Sequence, residues 1–207
     1  MDLRTFALLL PIVLVSLTLH ELAHAWVAWW LGDPTAKSQG RLTLNPLAHI
    51  DPLGTLMFVL TALIANLPFG WAKPVPVDPS YFKRAKEGMA IVAAAGPLMN
   101  FVLALVCWAA VRHVELSHQG MEVLTNAWIV NVVLGLFNLI PVPPLDGSRI
   151  VGAVMDDATY VRWISFDQYG MLVVFGAFFL FQDQFTHVMT NALFFVRDVM
   201  DVLVLAT

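Results

Sequence analysis

Residues 18–25, Thr18-Leu19-His20-Glu21-Leu22-Ala23-His24-Ala25, place two imidazoles and a carboxylate inside a run that is otherwise apolar from Thr5 to Leu31. Histidines four apart lie on one face of a helix, about a turn from each other. Both rings can therefore reach a single zinc ion, and the glutamate between them sits where it can take a proton from a water activated by that ion. The ordinary alternative is a pair of core histidines with satisfied partners. In a lipid-embedded helix, however, each ionisable group costs about 2–3 kcal/mol on insertion scales, which argues against an unused cluster.

The rest of the chain supplies that lipid setting. Of 207 residues, 59% are apolar and 13% carry a formal charge, with a net charge of −4, and the mean hydropathy is +0.75. A soluble domain is about 25% charged, so this chain has roughly half the usual charge. The acidic balance leaves no footprint for nucleic acid. Cys107 is the single cysteine, which excludes an internal disulfide and a cysteine metal cluster. Uncharged runs at 52–72, 88–111 and 123–145 each suffice for a spanning helix, and 168–182 and 184–196 read as two shorter, tilted or amphipathic helices. The first segment is too long, and too loaded with chemistry, for a cleaved signal peptide. The expected fold is an all-α polytopic membrane protein of five to six spans. It forms one domain over 1–207, with C-terminal helices at about 163–206.

Two polar stretches punctuate the runs. Residues 32–51 carry turn formers at Gly32, Asp33, Pro34, Gly40 and Asn45-Pro46 and a brief alternation at Arg41-Leu42-Thr43-Leu44, so they read as a structured loop with room for a strand. Residues 71–77 alternate Val and Pro and should be extended, because proline pushes its predecessor toward β or polyproline geometry.

Two histidines leave a zinc site incomplete, since a catalytic zinc takes three protein ligands and keeps one position open. The remaining candidate is Asp146 in Asn138-Leu139-Ile140-Pro141-Val142-Pro143-Pro144-Leu145-Asp146-Gly147, where three prolines interrupt the fourth apolar segment. A broken helix at membrane depth is tolerated where it lines a cavity. Alternatively, Asp146 caps a helix at the end of a span.

These residues resemble the site-2 protease family (peptidase family M50) of intramembrane zinc metalloproteases. His20-Glu21-x-x-His24 matches the family's zinc helix, and Gly96-Pro97-Leu98-Met99-Asn100 its Gly-Pro motif. Asn138-x-x-Pro-x-Pro-x-Leu-Asp146-Gly matches its Leu-Asp-Gly motif, and all three stand in family order across about residues 16–150. The resemblance implies His20, His24 and Asp146 as ligands of one zinc ion, Glu21 as the general base, and Asn138 as a residue that holds substrate near the metal. It also implies a short form without a PDZ or CBS domain. Ser148 departs from the second glycine that often follows Leu-Asp-Gly.

Geometry constrains the topology. A fully crossing 52–67 would leave Asp146 and His24 near opposite faces, and no shared metal could form. A re-entrant or hairpin element at about 52–67 brings them to similar depth. It also puts nine of the eleven Lys and Arg on one side, leaving Arg4 and Arg112, and the cation-rich side is the cytoplasm. The expected setting is a prokaryotic cell membrane, with the active site toward the cytoplasm.

The expected activity is a zinc metalloendopeptidase acting on single-span membrane proteins, whose partners in this family include anti-sigma factors, transcription-factor precursors and signal-peptide remnants. The extended 71–77 stretch offers an unwound substrate main-chain pairing by β-addition. His49, in the loop that folds back toward the site, is a candidate supporting or substrate-contacting residue. Gly96 with its neighbouring alanines, Asn100 and Asn131 read as helix-packing residues, and His113, His118 and His187 as interfacial ones. The seven tryptophans, Trp26, Trp29 and Trp30 among them, fit an aromatic belt. A membrane metal-ion transporter and a catalytically silent metal-binding scaffold are the alternatives. The first should carry polar residues along a path across the bilayer, and the second has no use for Glu21.

Overall fold

A computed structural model describes residues 2–65 and 69–205. The long helix α1 (Leu3–Trp30) starts where the Asp2 carboxylate accepts the Thr5 N–H at 2.7 Å, capping an otherwise unpaired donor. It carries the His-Glu-x-x-His sequence in its second half. A short turn of helix, α2 (Thr35–Ser38), and a 3-10 turn at Pro46–Ala48 lead to α3 (Pro52–Ala65). After the extended stretch and a 3-10 turn at Pro79–Tyr81 come α4 (Ala85–His113), α5 (His118–Asn138) and α6 (Asp146–Gly152). The chain closes with α7 (Asp157–Ser165), α8 (Asp167–Leu180) and α9 (Gln182–Leu205).

Helix α4 is the centre, packed against α1, α5 and α6. Its buried positions include Gly88, Ala93, Gly96 and Ala104, small enough to let backbones approach closely. Polar groups join the three long helices where they cross. Asn100 of α4 donates through Nδ2 to Asn131 Oδ1 of α5 at 2.9 Å, and Asn131 Nδ2 donates to Ser16 Oγ of α1 at 2.9 Å. Such bonds hold helices together where apolar side chains and lipid tails are equivalent. Farther along, Ala104, Trp128, Val132 and Met200 form an apolar cluster that fastens α9 to α4 and α5.

Helices α1, α4 and α5 are long and apolar enough to cross a membrane, and the α7–α8 pair, bent by 61°, makes a fourth if it counts as one span. At 1.5 Å per residue the 28- and 29-residue helices reach about 42 Å, beyond the ~30 Å of hydrocarbon. The other segments expected to span are helical but fall short on those measures. Helix α3 has 14 residues, and α9 carries Asp183, Arg197, Asp198 and Asp201.

The 50–73 region folds back on itself. Ile50 pairs antiparallel with Ala72, and the Lys73 N–H donates to the His49 carbonyl at 2.8 Å. Chain leaving as α3 therefore returns to where it began, as a hairpin requires. Within it the Phe69 N–H donates to Thr61 Oγ1 at 2.9 Å. Residues 66 and 67 of the expected hairpin, and residue 206 of the C-terminal helices, lie outside the described residues. The alternation at Arg41–Leu44 does not form a strand. Leu44 stands in solvent or lipid while Arg41 turns inward and is 6% exposed, its guanidinium occupied by carbonyls of the returning chain.

Candidate metal centre

His20 and His24 project from α1 toward α4, and Asp146 reaches them as the first residue of α6. Their donor atoms close a triangle: His20 Nε2 and His24 Nε2 are 3.0 Å apart, and Asp146 Oδ2 is 3.3 Å from the first and 3.4 Å from the second. Donor atoms held at ~2.0–2.1 Å by a tetrahedral zinc are about 3.3 Å from one another. Among the described residues this is the group of His, Cys, Asp and Glu able to share a metal. His113, His118 and His187 do not join it.

Hydrogen bonds on the far side of each ring fix which nitrogen is the ligand. His24 Nδ1 lies 2.7 Å from the Val92 carbonyl, which only accepts, so Nδ1 carries the proton and Nε2 keeps its lone pair. For His20 the same conclusion comes through a relay. Asn131 Nδ2 donates to the Ala127 carbonyl at 2.8 Å, which orients that amide and makes its Oδ1 the acceptor of Asn100 Nδ2. Asn100 Oδ1 must then accept from His20 Nδ1, 2.7 Å away, again leaving Nε2 free. Asn100 is thus more than the helix-packing residue its sequence position suggested.

Room for the two rings depends on Gly96. A Cβ there would lie 2.4 Å from His24 Nε2 and 2.5 and 2.6 Å from His20 Cε1 and Nε2. Asp146 Oδ2 is buried with no hydrogen-bond partner, an uncommon state for a carboxylate oxygen. Two oriented lone pairs, an orphaned carboxylate oxygen, tetrahedral spacing and a pocket cleared of side chain fit a zinc ion.

A cavity of about 540 Å³ opens onto this triangle, and His20, Glu21, His24, Asn138, Asp146 and Arg149 are among its lining residues. Its walls come from α1, α4, the end of α5, α6, α8 and the 69–77 stretch. Glu21 Oε2 accepts the Val75 N–H at 2.9 Å, so one carboxylate oxygen is held by the extended stretch. Asn138 Nδ2 is engaged with the Leu134 carbonyl at 3.0 Å. His49 does not line the cavity. It is buried in the loop, with Nε2 3.0 Å from the Thr43 carbonyl, and its backbone carbonyl takes the Lys73 N–H. Ser148, two residues beyond Asp146, is fully buried, and its carbonyl accepts from Trp163 Nε1 at 3.1 Å.

The extended stretch was legible as extended, but its engagement with Glu21 was not. Three fixed points hold it. The Ile50–Ala72 pairing anchors its start, and Arg41 donates to the Lys73 and Pro74 carbonyls at 2.6 and 3.1 Å. At its end the fully buried Asp33 accepts the Asp78 N–H at 2.8 Å. Asp78 in turn caps the 3-10 turn. The hydroxyl and N–H of Ser80 bond its carboxylate and hold its pKa below the usual range.

Comparison with known proteins agrees with this chemistry. A family model described as Peptidase family M50 matches residues 114–182, a span that holds Asn138 and Asp146. YwhC of Bacillus subtilis, described as a "Putative zinc metalloprotease", is 41% identical over 172 residues, covering 78% of this chain and 75% of its own. Rip2 of Mycolicibacterium smegmatis bears the same description and is 32% identical over 175 residues, 82% of this chain and 65% of that protein. The zinc metalloprotease MJ0392 of Methanocaldococcus jannaschii is 28% identical over 150 residues, 72% of this chain and 35% of its own length. No solved structure matches.

Proposed function

The chain belongs to peptidase family M50 and is an integral membrane metalloprotease, and from that premise we propose that it hydrolyses peptide bonds within the transmembrane segments of other membrane proteins. The observation that carries the reading is the position of the triangle His20, His24 and Asp146. Its two histidines lie within α1, a helix long and apolar enough to cross a membrane, and the triangle opens onto a cavity of about 540 Å³.

One zinc ion per chain would be held by His20 Nε2, His24 Nε2 and Asp146 Oδ2. When bound it supplies Lewis acidity, lowering the pKa of a water toward ~7 and polarising a carbonyl. Glu21 moves the proton. With Oε2 held by Val75, Oε1 is the oxygen that takes a proton from water and returns it to the leaving amine, so the chain balances hydrolysis without another acid. Asn138, at the cavity wall, holds the substrate main chain near the reacting carbonyl.

Substrate helices shield their peptide bonds, so the segment must unwind locally, which Gly, Pro or Asn near the cut would ease. On this reading the unwound strand adds alongside the 71–77 stretch, which forms part of the cavity wall, by main-chain hydrogen bonds to the groups that His49, Arg41 and Glu21 do not occupy. The proposed substrates are single-span membrane proteins, of which anti-sigma factors, transcription-factor precursors and signal-peptide remnants are the classes that the family resemblance implies. The hairpin return at Ala72 and the distribution of nine cations against two support a site on the cytoplasmic side of a prokaryotic cell membrane. Leu31 lies seven positions, roughly 10 Å of helix, beyond His24, which sets that depth.

The test is reconstitution into lipid vesicles with a single-span model substrate. Wild-type protein should bind about one zinc and cleave, and Glu21→Gln should keep the zinc and lose cleavage. Undiminished cleavage by that variant removes Glu21 from the mechanism.

A further inference from the structure

The loop between α2 and α3 contains a buried cation that the proteolytic chemistry does not use. Arg41 is 6% exposed and forms no ion pair among the described residues. Both its Nη atoms are spent on the carbonyls of Lys73 and Pro74, the two residues that immediately precede Val75. The Val75 N–H is the donor to Glu21 Oε2. We infer that Arg41 is a positioning residue for proteolysis, which clamps the extended stretch so that the Val75 N–H fixes Glu21 against the metal ligands.

The physical case rests on what the stretch lacks. Residues 71–77 belong to no sheet that would set their register, and Ile50–Ala72 is the isolated pairing that fixes their start. Pro74 and Pro76 cannot donate, so the Val75 N–H is the donor that the stretch presents between them. Its aim depends on the orientation of the 73–74 and 74–75 peptide planes. Those planes carry the two carbonyls that Arg41 grips, and a planar guanidinium with two parallel donors fixes both at once. Burial strengthens the grip, because charge-assisted bonds in a low dielectric exceed those at a surface.

Arg41 is itself held in place by local structure. Its own N–H donates to the Ala36 carbonyl at 2.9 Å, and Gly40 before it takes φ +67°, a left-handed conformation that glycine adopts without penalty. The loop thus brings a locally held cation to a strap that has no sheet of its own. Arg41 is not itself a lining residue and bonds none of the three ligands; it meets the cavity wall at Pro74, a residue of the strap, so its effect reaches Glu21 through the strap.

This inference rests on the assignment of Glu21 as the proton-moving group, and the test separates the two. The full chain in lipid vesicles is compared as wild type, Arg41→Met and Arg41→Lys, reading zinc content, kcat and KM on a single-span substrate, and hydrogen exchange resolved to the Val75 amide. The methionine fills the volume without donors, and the lysine reaches one carbonyl rather than two. Expected for Arg41→Met are unchanged zinc, retained protection in α4 and α5, and at least tenfold faster exchange at Val75. Its kcat should fall 10- to 100-fold with KM within about twofold, the size expected for a catalytic group displaced by about 1 Å. Arg41→Lys should fall between the two. Exchange at Val75 within threefold of wild type, an unchanged kcat, or a loss carried by KM alone overturns the inference. So does loss of core protection in both variants, which would make Arg41 a residue of the scaffold. If the wild type itself does not cleave, the proteolytic reading fails, while Val75 exchange still decides whether Arg41 sets the strap.

Discussion

Replacing Gly96 by alanine tests the site through a single methyl group. In a helix this change is ordinarily favourable, by about 0.8–1.0 kcal/mol. Here the added Cβ would lie 2.4 Å from His24 Nε2, about 1 Å short of normal contact, with His20 Cε1 and Nε2 at 2.5 and 2.6 Å. Overpacking of that kind costs about 1–3 kcal/mol, so the propensity gain offsets part of it and the fold survives with a net loss of roughly 0–2 kcal/mol. The metal site has no such latitude, because ligand positions are tolerated to about ±0.2 Å. Removing an outer hydrogen bond from a metal ligand already lowers affinity 10- to 100-fold, and pushing both imidazoles aside by about 1 Å should exceed the upper end of that range. A hundredfold loss corresponds to about 2.7 kcal/mol. The assay is zinc bound per chain against buffered free zinc, with a melting curve on the same sample. Gly176→Ala serves as a control, since a Cβ there meets nothing within 4 Å. Zinc affinity within threefold of wild type in Gly96→Ala, with cleavage intact, would refute the reasoning.

Three further outcomes follow from the geometry. Asp146→Ala should lose at least 90% of bound zinc in the same metal titration, because it removes one of three ligands; full retention sinks that assignment. Asn100→Leu should weaken zinc binding 10- to 100-fold and lower stability by about 1–3 kcal/mol. It releases His20 Nδ1 and strands Asn131 Oδ1 in a buried site, which metal titration and thermal melting would each detect. Thr61→Val should destabilise the protein by about 1–2 kcal/mol in a denaturation series while leaving zinc affinity unchanged. The lost acceptor serves the Phe69 N–H inside the hairpin and not the metal ligands.

How much of this was legible beforehand depends on the range of the interaction. The metal helix was readable because its ligands are four residues apart and the helix itself sets their spacing. Helices α1, α4 and α5 were readable because lipid leaves long uncharged runs. The hairpin followed from a requirement that Asp146 meet His24, and the pairing of Ile50 with Ala72 supplies the return it needs. What the sequence hid are contacts carried by the backbone. The Val75 N–H and the Val92 carbonyl exist at every residue and leave no signature, yet one holds Glu21 and the other orients His24. Arg41 read as part of a brief alternation because nothing local reveals that its partners lie more than thirty residues on. Asn100 was visible as a polar residue in an apolar helix, and its role required knowing which side of His20 it faced.

The most direct test is the position of the cut. A single-span substrate reconstituted with the zinc-loaded protein is analysed by mass spectrometry of its products, beside Glu21→Gln at matched zinc content. The account predicts new termini within the substrate's membrane-spanning segment, formed by wild type and lowered at least 100-fold in the variant. Termini confined to the flanking soluble regions, or equal product from Glu21→Gln, would contradict it.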